Sequence, residues 1–505
     1  MNQLHRIIII GWVLLGIAGC ASLQTEQDQI TALEEPVAEP QAVAGTQISP
    51  ELLRQEMAIF KKQLMAIHPD PFARVSQSEF EAEFNRVYES LNYPLSRAQF
   101  YIQLAPLLAR LRDVHSYLNL PKDQFGDLSI SGERLFPLAV ILHQDKLLVA
   151  ADLSTKPFIP IGAEITTING APVDYLLTVM RKLVARETTS GQARRIQLDF
   201  SWLLSAMGYA GENYQISYRW QAQQLEKELV GLAIVTPKKS ARPASYYGFT
   251  KLTDTTSLLW LNDFNENPEI FESYLTDKFD QMAQQRVENL IIDVRYNQGG
   301  LSENLKNLLA RLTDKPIYWA DHGQIKISEK LKNNHVDKTR QRREDKYSWG
   351  LQWIPLEWTD KLQHSIWWAE DGEMITLQLD SIEPTDGYRP SRVWVLTNGF
   401  CYSACSLFVA SVNHYQLGRT LGEKAGSLAN NQFVYPVEVT LPHSGLTLTL
   451  PTMRLVFAPD NHQELIAPQV EILRSLEDIQ HRRDPVLDTA LTEAELGDAI
   501  ELGKN

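Results

Sequence analysis

Two apolar runs of strand length, residues 290–294 and 393–397, each end in a polar turn containing glycine, and each turn leads into an apolar stretch of helix length. A continuous apolar run bounded by turn residues reads as a strand buried on both faces. The same alternation holds for a strand at 256–261, a helix at 270–284, a strand at 289–294 and a helix at 302–312. Strands alternating with helices predict a layered α/β domain. Residues 316–388 interrupt this pattern with charged segments and the pair Trp367-Trp368, before it resumes at 392–396 and runs to about 473. That interruption is expected to be an insertion over the site, although tryptophan is also ordinary core.

Ahead of this domain, residues 50–112 are rich in helix formers. Apolar residues there recur at three and four spacings, as in Leu52, Met57, Phe60 and Leu64, with a break at His68-Pro69-Asp70-Pro71. Beyond Pro121 the pattern turns to β-like runs at 136–142 and 146–151. Residues 161–170 then resemble the strand and turn of PDZ-like modules, a generic β-hairpin being the alternative, with a helix expected at 173–184. With 505 residues and 44% hydrophobic content, the chain is too long for one core. The expected layout is 1–19 signal, 20–49 tether, 50–125 helical, 126–240 β-rich and PDZ-like, 241–475 catalytic α/β, and 476–505 a terminal helix and tail.

Residues 1–20 have the parts of an export signal: Arg6, an apolar run at 7–18, and small residues before Cys20. The run is shorter than the roughly 20 residues a membrane span needs. Ile17-Ala18-Gly19-Cys20 resembles the bacterial lipobox, which implies a lipidated Cys20 at the mature N-terminus and a firm hold on a membrane. Ala21 and Ser22 follow with no Asp beside Cys20, which in such lipoproteins implies the outer membrane, facing the periplasm. Residues 25–50 are polar and rich in Pro, Glu, Gln and Ala, as a tether would be. The net charge of -14 is spread along the chain and argues against nucleic acid as a partner. The one basic run, 338–343, is short and reads as a solvated face.

Chemistry concentrates in the two turns. Ser403 falls where the helix after 393–397 begins, so backbone amides and the positive end of the helix dipole lie beside it, a setting that favours an oxyanion. Taken alone, a serine there is better read as a plain helix cap. The other turn ends in Gly299-Gly300, where backbone amides can face a cleft with no Cβ in the way. A strand end carrying an Asp293–Arg295 pair is the plain alternative, and no Walker or G-x-G-x-x-G pattern is present. No H-E-x-x-H occurs, and Cys401 and Cys405 lack two further ligands at finger-like spacing, so no metal or other cofactor is expected. The two cysteines, placed four apart on a helix about 6 Å between Cα atoms, are expected to be mostly free thiols.

Together the two segments resemble the C-terminal-processing, or tail-specific, serine peptidase family, which includes the tricorn core protease. Its D-L-R-x-N-x-G-G motif is matched by Asp293, Arg295, Asn297, Gly299 and Gly300, and its N-G-x-x-x-S-A segment by Asn398, Gly399, Ser403 and Ala404. The resemblance extends over about 50–490, taking in the turn near His68 and the 484–487 segment, and implies a crotonase-like α/β fold for the catalytic part. Where the processing peptidases carry a lysine base, this chain has Leu428, and Lys424 is out of register.

The tricorn-like branch uses a histidine in an L-x-D-x-H-[ST] line, similar to residues 111–116, which makes His115 the expected base. Either Glu464, in a stretch similar to the family's late E-G-x-G-x-x-P, or Asp113 would orient it. The resemblance thus implies Ser403 as nucleophile, oxyanion donors from Gly299 or Gly300 and Ala404, and a peptide or unfolded-protein substrate, with β-addition to the PDZ-like region as a docking mode. The alternative is a binding protein that keeps the fold without turnover.

Overall fold

The computed structural model describes residues 47–121, 134–233, 246–334, 365–457 and 466–502. The export signal with Cys20, the basic run 338–343 and Glu464 lie outside the described residues.

Three helices open the described chain: α1 (Pro50–Ile67), α2 (Gln77–Ser90) and α3 (Arg97–Ala109). Each follows a serine. The Ser76 and Ser96 hydroxyls accept third-position amides, and Ser96 with Gln99 completes a capping box. The buried stripe of α1 is Leu53, Met57, Phe60, Leu64 and Ile67. Leu52 was expected on that stripe but is 36% exposed, because it stands five residues before Met57 and so falls off the face that Leu53 occupies. The helix ends at His68, which is held extended by the proline after it.

The β-rich part contains β2 (Leu138–His143), β3 (Lys146–Asp152), β4 (Glu164–Ile168), β5 (Ala171–Pro172), β6 (Asn213–Trp220) and β7 (Gln223–Val230). They form an antiparallel sheet in the order β2-β3-β4-β6-β7, with β5 on β4. The turn from β4 to β5 places both Asn169 and Gly170 at positive φ, 49° and 77°, as a tight type I′ hairpin requires. Helices α4 (Val173–Leu183) and α5 (Thr189–Ala206) pack on this sheet.

The α/β part is built on a six-stranded sheet in the order β17-β14-β13-β10-β9-β8. Its strands are β8 (Tyr247–Lys251), β9 (Thr256–Leu261), β10 (Asn289–Asp293), β13 (Arg392–Thr397), β14 (Arg419–Gly422) and β17 (Val470–Glu471). All neighbours are parallel except β8 and β9. The apolar runs are continuous because both faces are covered. Leu290 and Ile292 join one core with α6 (Pro268–Gln285), α7 (Ser302–Leu312) and α8 (Ala404–Tyr415). Ile291 joins a second core with Trp394, Val486 and Ala490, where α10 (Pro485–Leu502) lies on the sheet after the short α9 (Leu476–Gln480). Each such buried aliphatic stabilises the fold by about 1.5–3 kcal/mol.

The segment expected to be an insertion supplies two strands, β11 (His322–Lys326) and β12 (Met374–Gln378). They extend a third sheet, β1-β16-β11-β12, in which β15 (Gln432–Thr440) also pairs with β16 (Thr447–Val456) and β1 is Tyr117–Leu118. Trp367 and Trp368 are exposed rather than core. The core of the helical and β-rich parts also takes in Val437, Leu448 and Leu450 of β15 and β16.

Candidate active site

Strands β10 and β13 lie side by side with Asp293 opposite Leu396, so the turns that follow them leave from the same edge of the sheet. The carboxyl ends of parallel strands are where α/β sheets hold ligands. Two hydrogen bonds join the turns: Val294 N–H donates to the Leu396 carbonyl at 3.1 Å, and Tyr402 N–H to the Asn297 carbonyl at 3.2 Å.

Ser403 stands at the N-terminus of α8 with φ 53° and ψ -123°, and its side chain makes no capping bond. The plain role of a capping serine is therefore not taken up. An L-residue in this conformation carries about 1–3 kcal/mol of strain, as at the sharp strand-to-helix turns that present a nucleophile. The surroundings hold it there. Ser403 N–H donates to Ser427 Oγ at 2.8 Å. Ser427 Oγ is itself 2.8 Å from Ser406 Oγ and accepts from Gln432 Nε2 at 3.2 Å, and all three side chains are fully buried.

Cys401 and Cys405 are joined by a disulfide that brackets Ser403, which corrects the expectation of free thiols. The geometry assumed was that of a regular helix. Cys401 instead precedes the helix, and the turn at Ser403 brings the two Cα atoms to 5.2 Å.

The paired glycines divide their roles. Gly299, at φ 93°, donates its N–H to Asn297 Oδ1 at 2.8 Å, which engages the amide expected as one oxyanion donor. A Cβ built on it would lie 2.8 Å from Ser403 Cβ and 3.1 Å from the Ala404 nitrogen, so its contribution is close approach. The described hydrogen bonds include none from Gly300 N–H, and Ala404 N–H begins a helix, where amides have no partner within the helix. Arg295 pairs with Asp293 and with Asp484 at 2.7 Å, the structural role read as the plain alternative.

His115 follows α3 in a short loop anchored by β1 on β16. The fully buried Asp113 accepts its backbone N–H at 3.0 Å and the Ser116 hydroxyl at 2.5 Å. His115 Nδ1 lies 3.6 Å from Asp113 Oδ1, buried and without a hydrogen-bond partner. On the other side, His68 Nε2 lies 3.4 Å from Asp113 Oδ2. His68 Nδ1 accepts the Asp70 N–H at 3.1 Å, so the ring proton belongs on Nε2, facing the carboxylate. Burial pushes the Asp113 carboxyl up, but the two imidazoles that flank it, His115 and His68, outweigh burial and hold the group well below the usual carboxylate range.

No hydrogen bond joins Ser403 Oγ to His115 among the described residues, but Glu187 ties their neighbours together. One oxygen of this buried carboxylate accepts Val114 N–H at 3.2 Å, and the other accepts Leu428 N–H at 2.8 Å. Arg74 pairs with it at 2.7 Å and also donates to the Arg112 and Asn431 carbonyls. Burial pushes the Glu187 carboxyl up, with Arg74 opposing. Leu428 packs against the core, and Lys424 is partly buried, which lowers its pKa, with Glu471 opposing. Among the described residues no group of three or more His, Cys, Asp or Glu could hold a metal ion, and no helix is long and apolar enough to cross a membrane.

Glu187, Ser427, Gln432 and His68 were not among the residues expected at the site. His68 alone had a signal, the proline-flanked turn.

Residues 256–472 match the model of Peptidase family S41. No curated protein matches the chain. Among solved structures, mature CPAF complexed with lactacystin superposes with a TM-score of 0.63 at 15% identity, over 88% of this chain and 98% of that one. Mature CPAF gives 0.61 at 15% identity, over 86% and 95%. At such identities the likeness establishes the mixed α/β fold. The family match over residues 256–472 is what supports a serine peptidase.

Proposed function

We propose that this chain is an envelope-anchored serine peptidase that hydrolyses peptides or unfolded protein through an acyl-enzyme on Ser403. The observation that carries the proposal is the backbone of Ser403: a strained, uncapped serine at a helix N-terminus, followed directly by the Ala404 amide and with Gly299 packed closely against it. Ser403 Oγ attacks the carbonyl carbon, and His115 takes its proton. Negative charge on the carbonyl oxygen is met by the Gly300 and Ala404 N–H groups. As the C–N bond breaks, His115 returns the proton to the leaving amine, and water then releases the acyl group by the same route.

Asp113 supports His115 in this scheme, since it already holds the loop and faces Nδ1, with His68 behind it. Glu464 is retained as the other orienting acid on the motif alone. The β-rich, PDZ-like region is assigned to docking an extended peptide. Labelling by a fluorophosphonate probe should be seen in the intact chain and lost in Ser403→Ala. Undiminished labelling of that variant would refute the nucleophile.

Anchoring is assigned to Cys20, with an outer-membrane location facing the periplasm, on the lipobox and tether. Palmitate should enter the intact chain and not Cys20→Ser, and incorporation unaffected by that change would overturn the assignment.

A further inference from the structure

Beside the site lies a cleft of about 1100 Å³ between the β-rich part, the ends of β10 and β13, and the chain around α9. Its wall includes Asn398 and Phe400, from the turn leading to Ser403, and Tyr296, from the turn leading to Gly300. Tyr296 and Phe400 stack at 5.8 Å, and the start of α5 is seated on the same turn, since a Cβ on Gly399 would lie 2.5 Å from the Ser190 carbonyl oxygen. Whatever fills the cleft therefore adjoins the nucleophile turn.

The charge of this wall is opposite to that of the chain. In a protein of net charge -14, seven arginines and three carboxylates line the cleft. Arg181, Arg194 and Arg295 are paired with Asp145, Glu423 and Asp484, and Arg483 with Glu477 and Asp478. Three guanidinium groups remain without an ion pair among the described residues. Arg186 donates to the Thr189 hydroxyl at 2.9 Å, Arg482 is exposed, and Arg474 donates to the Asp478 carbonyl at 3.3 Å while its buried Nε has no partner. Guanidinium groups held in this way suit carboxylates, which they can bind in a two-pronged fashion.

Apolar side chains, including Ile141, Ile472 and Leu473, share the lining, and the volume is beyond that of a small anion. Both features fit a polypeptide segment whose stems pack while its carboxylates pair. We propose that the cleft binds an acidic stretch of the substrate chain, with Arg186, Arg474 and Arg482 engaging Asp and Glu side chains, so that the peptidase favours acidic sequences. This rests on the peptidase reading above and adds a substrate class to it.

The test uses the full chain and two fluorescent peptides of equal length, one rich in Asp and Glu and one neutral, with hydrolysis and binding followed separately. In the Ser403→Ala chain the acidic peptide should bind about tenfold tighter than the neutral one, with the advantage shrinking as salt rises. In the Arg186→Glu, Arg482→Glu chain, checked for an unchanged melting temperature, the advantage should be lost, and with it the ratio of kcat/KM for the acidic over the neutral peptide. Equal affinities, or an advantage that survives both charge reversals, would overturn the inference while leaving the peptidase reading intact. Tighter binding of a single-stranded oligonucleotide than of the acidic peptide would overturn it too. Failure to hydrolyse either peptide would count against the peptidase reading, and the binding comparison would still decide the inference.

Discussion

The Ser403 amide donates to the Ser427 hydroxyl at 2.8 Å, which fixes the strained turn through a residue 24 positions further along the chain. Ser427 stands directly before Leu428, where the processing peptidases carry a lysine base. In place of a base, the segment supplies a buried acceptor for the backbone of Ser403. Ser427→Ala removes that acceptor and also leaves Ser406 and Gln432 short of a partner. The expected result is a loss of about 1–3 kcal/mol in stability, with kcat falling about tenfold or more while KM changes little. Denaturant unfolding and steady-state kinetics check both. An unchanged kcat would mean that the turn keeps its shape without this bond.

Asp113 predicts a specific acid sensitivity. Its carboxyl is depressed in the folded chain relative to its ordinary value of 3.8, burial opposing and the two histidines prevailing. Below that ordinary value the unfolded chain takes up a proton that the folded chain refuses. The stabilisation is therefore complete above about pH 4 and is lost as pH falls further. Asp113→Asn should lower stability at pH 7 and flatten the acid limb of the melting temperature against pH. An acid limb of the same slope in the variant would show that Asp113 is not the group responsible.

The Cys401–Cys405 disulfide brackets Ser403, the proposed nucleophile, and should persist in the isolated protein. Alkylation without reduction, followed by mass spectrometry, should show neither cysteine modified and the connecting peptide bridged. Two alkylated thiols would contradict the bond.

Much of the α/β sheet is legible from sequence, because strands covered on both faces must be continuously apolar, as residues 290–292 are. The helix at 302–312 and the strand at 256–261 match their expected limits. Where pattern reading failed, contacts distant in sequence decide. Glu187 looks like any surface glutamate in its own neighbourhood, and its partners stand 73 and 241 residues away. Residues 316–388 read as an interruption because β11 and β12 find their place only through β16, which comes later in the chain. The cysteine pair was misjudged because spacing alone suggests a helix, whereas the positive φ of Ser403 reshapes the turn.

The central claim is that Ser403 and His115 act as one unit in acyl transfer, and a double-mutant cycle tests it most directly. The quantity to measure is kcat/KM for a cleaved peptide in the intact chain, Ser403→Ala, His115→Ala and the double variant. Each single change should cost on the order of a thousandfold or more, and the double variant should be no worse than the poorer single one, since removing either partner already disables the pair. Lys424→Ala should cost far less. A near-normal His115→Ala enzyme together with an inactive Lys424→Ala enzyme would contradict the account and return the chain to a lysine mechanism.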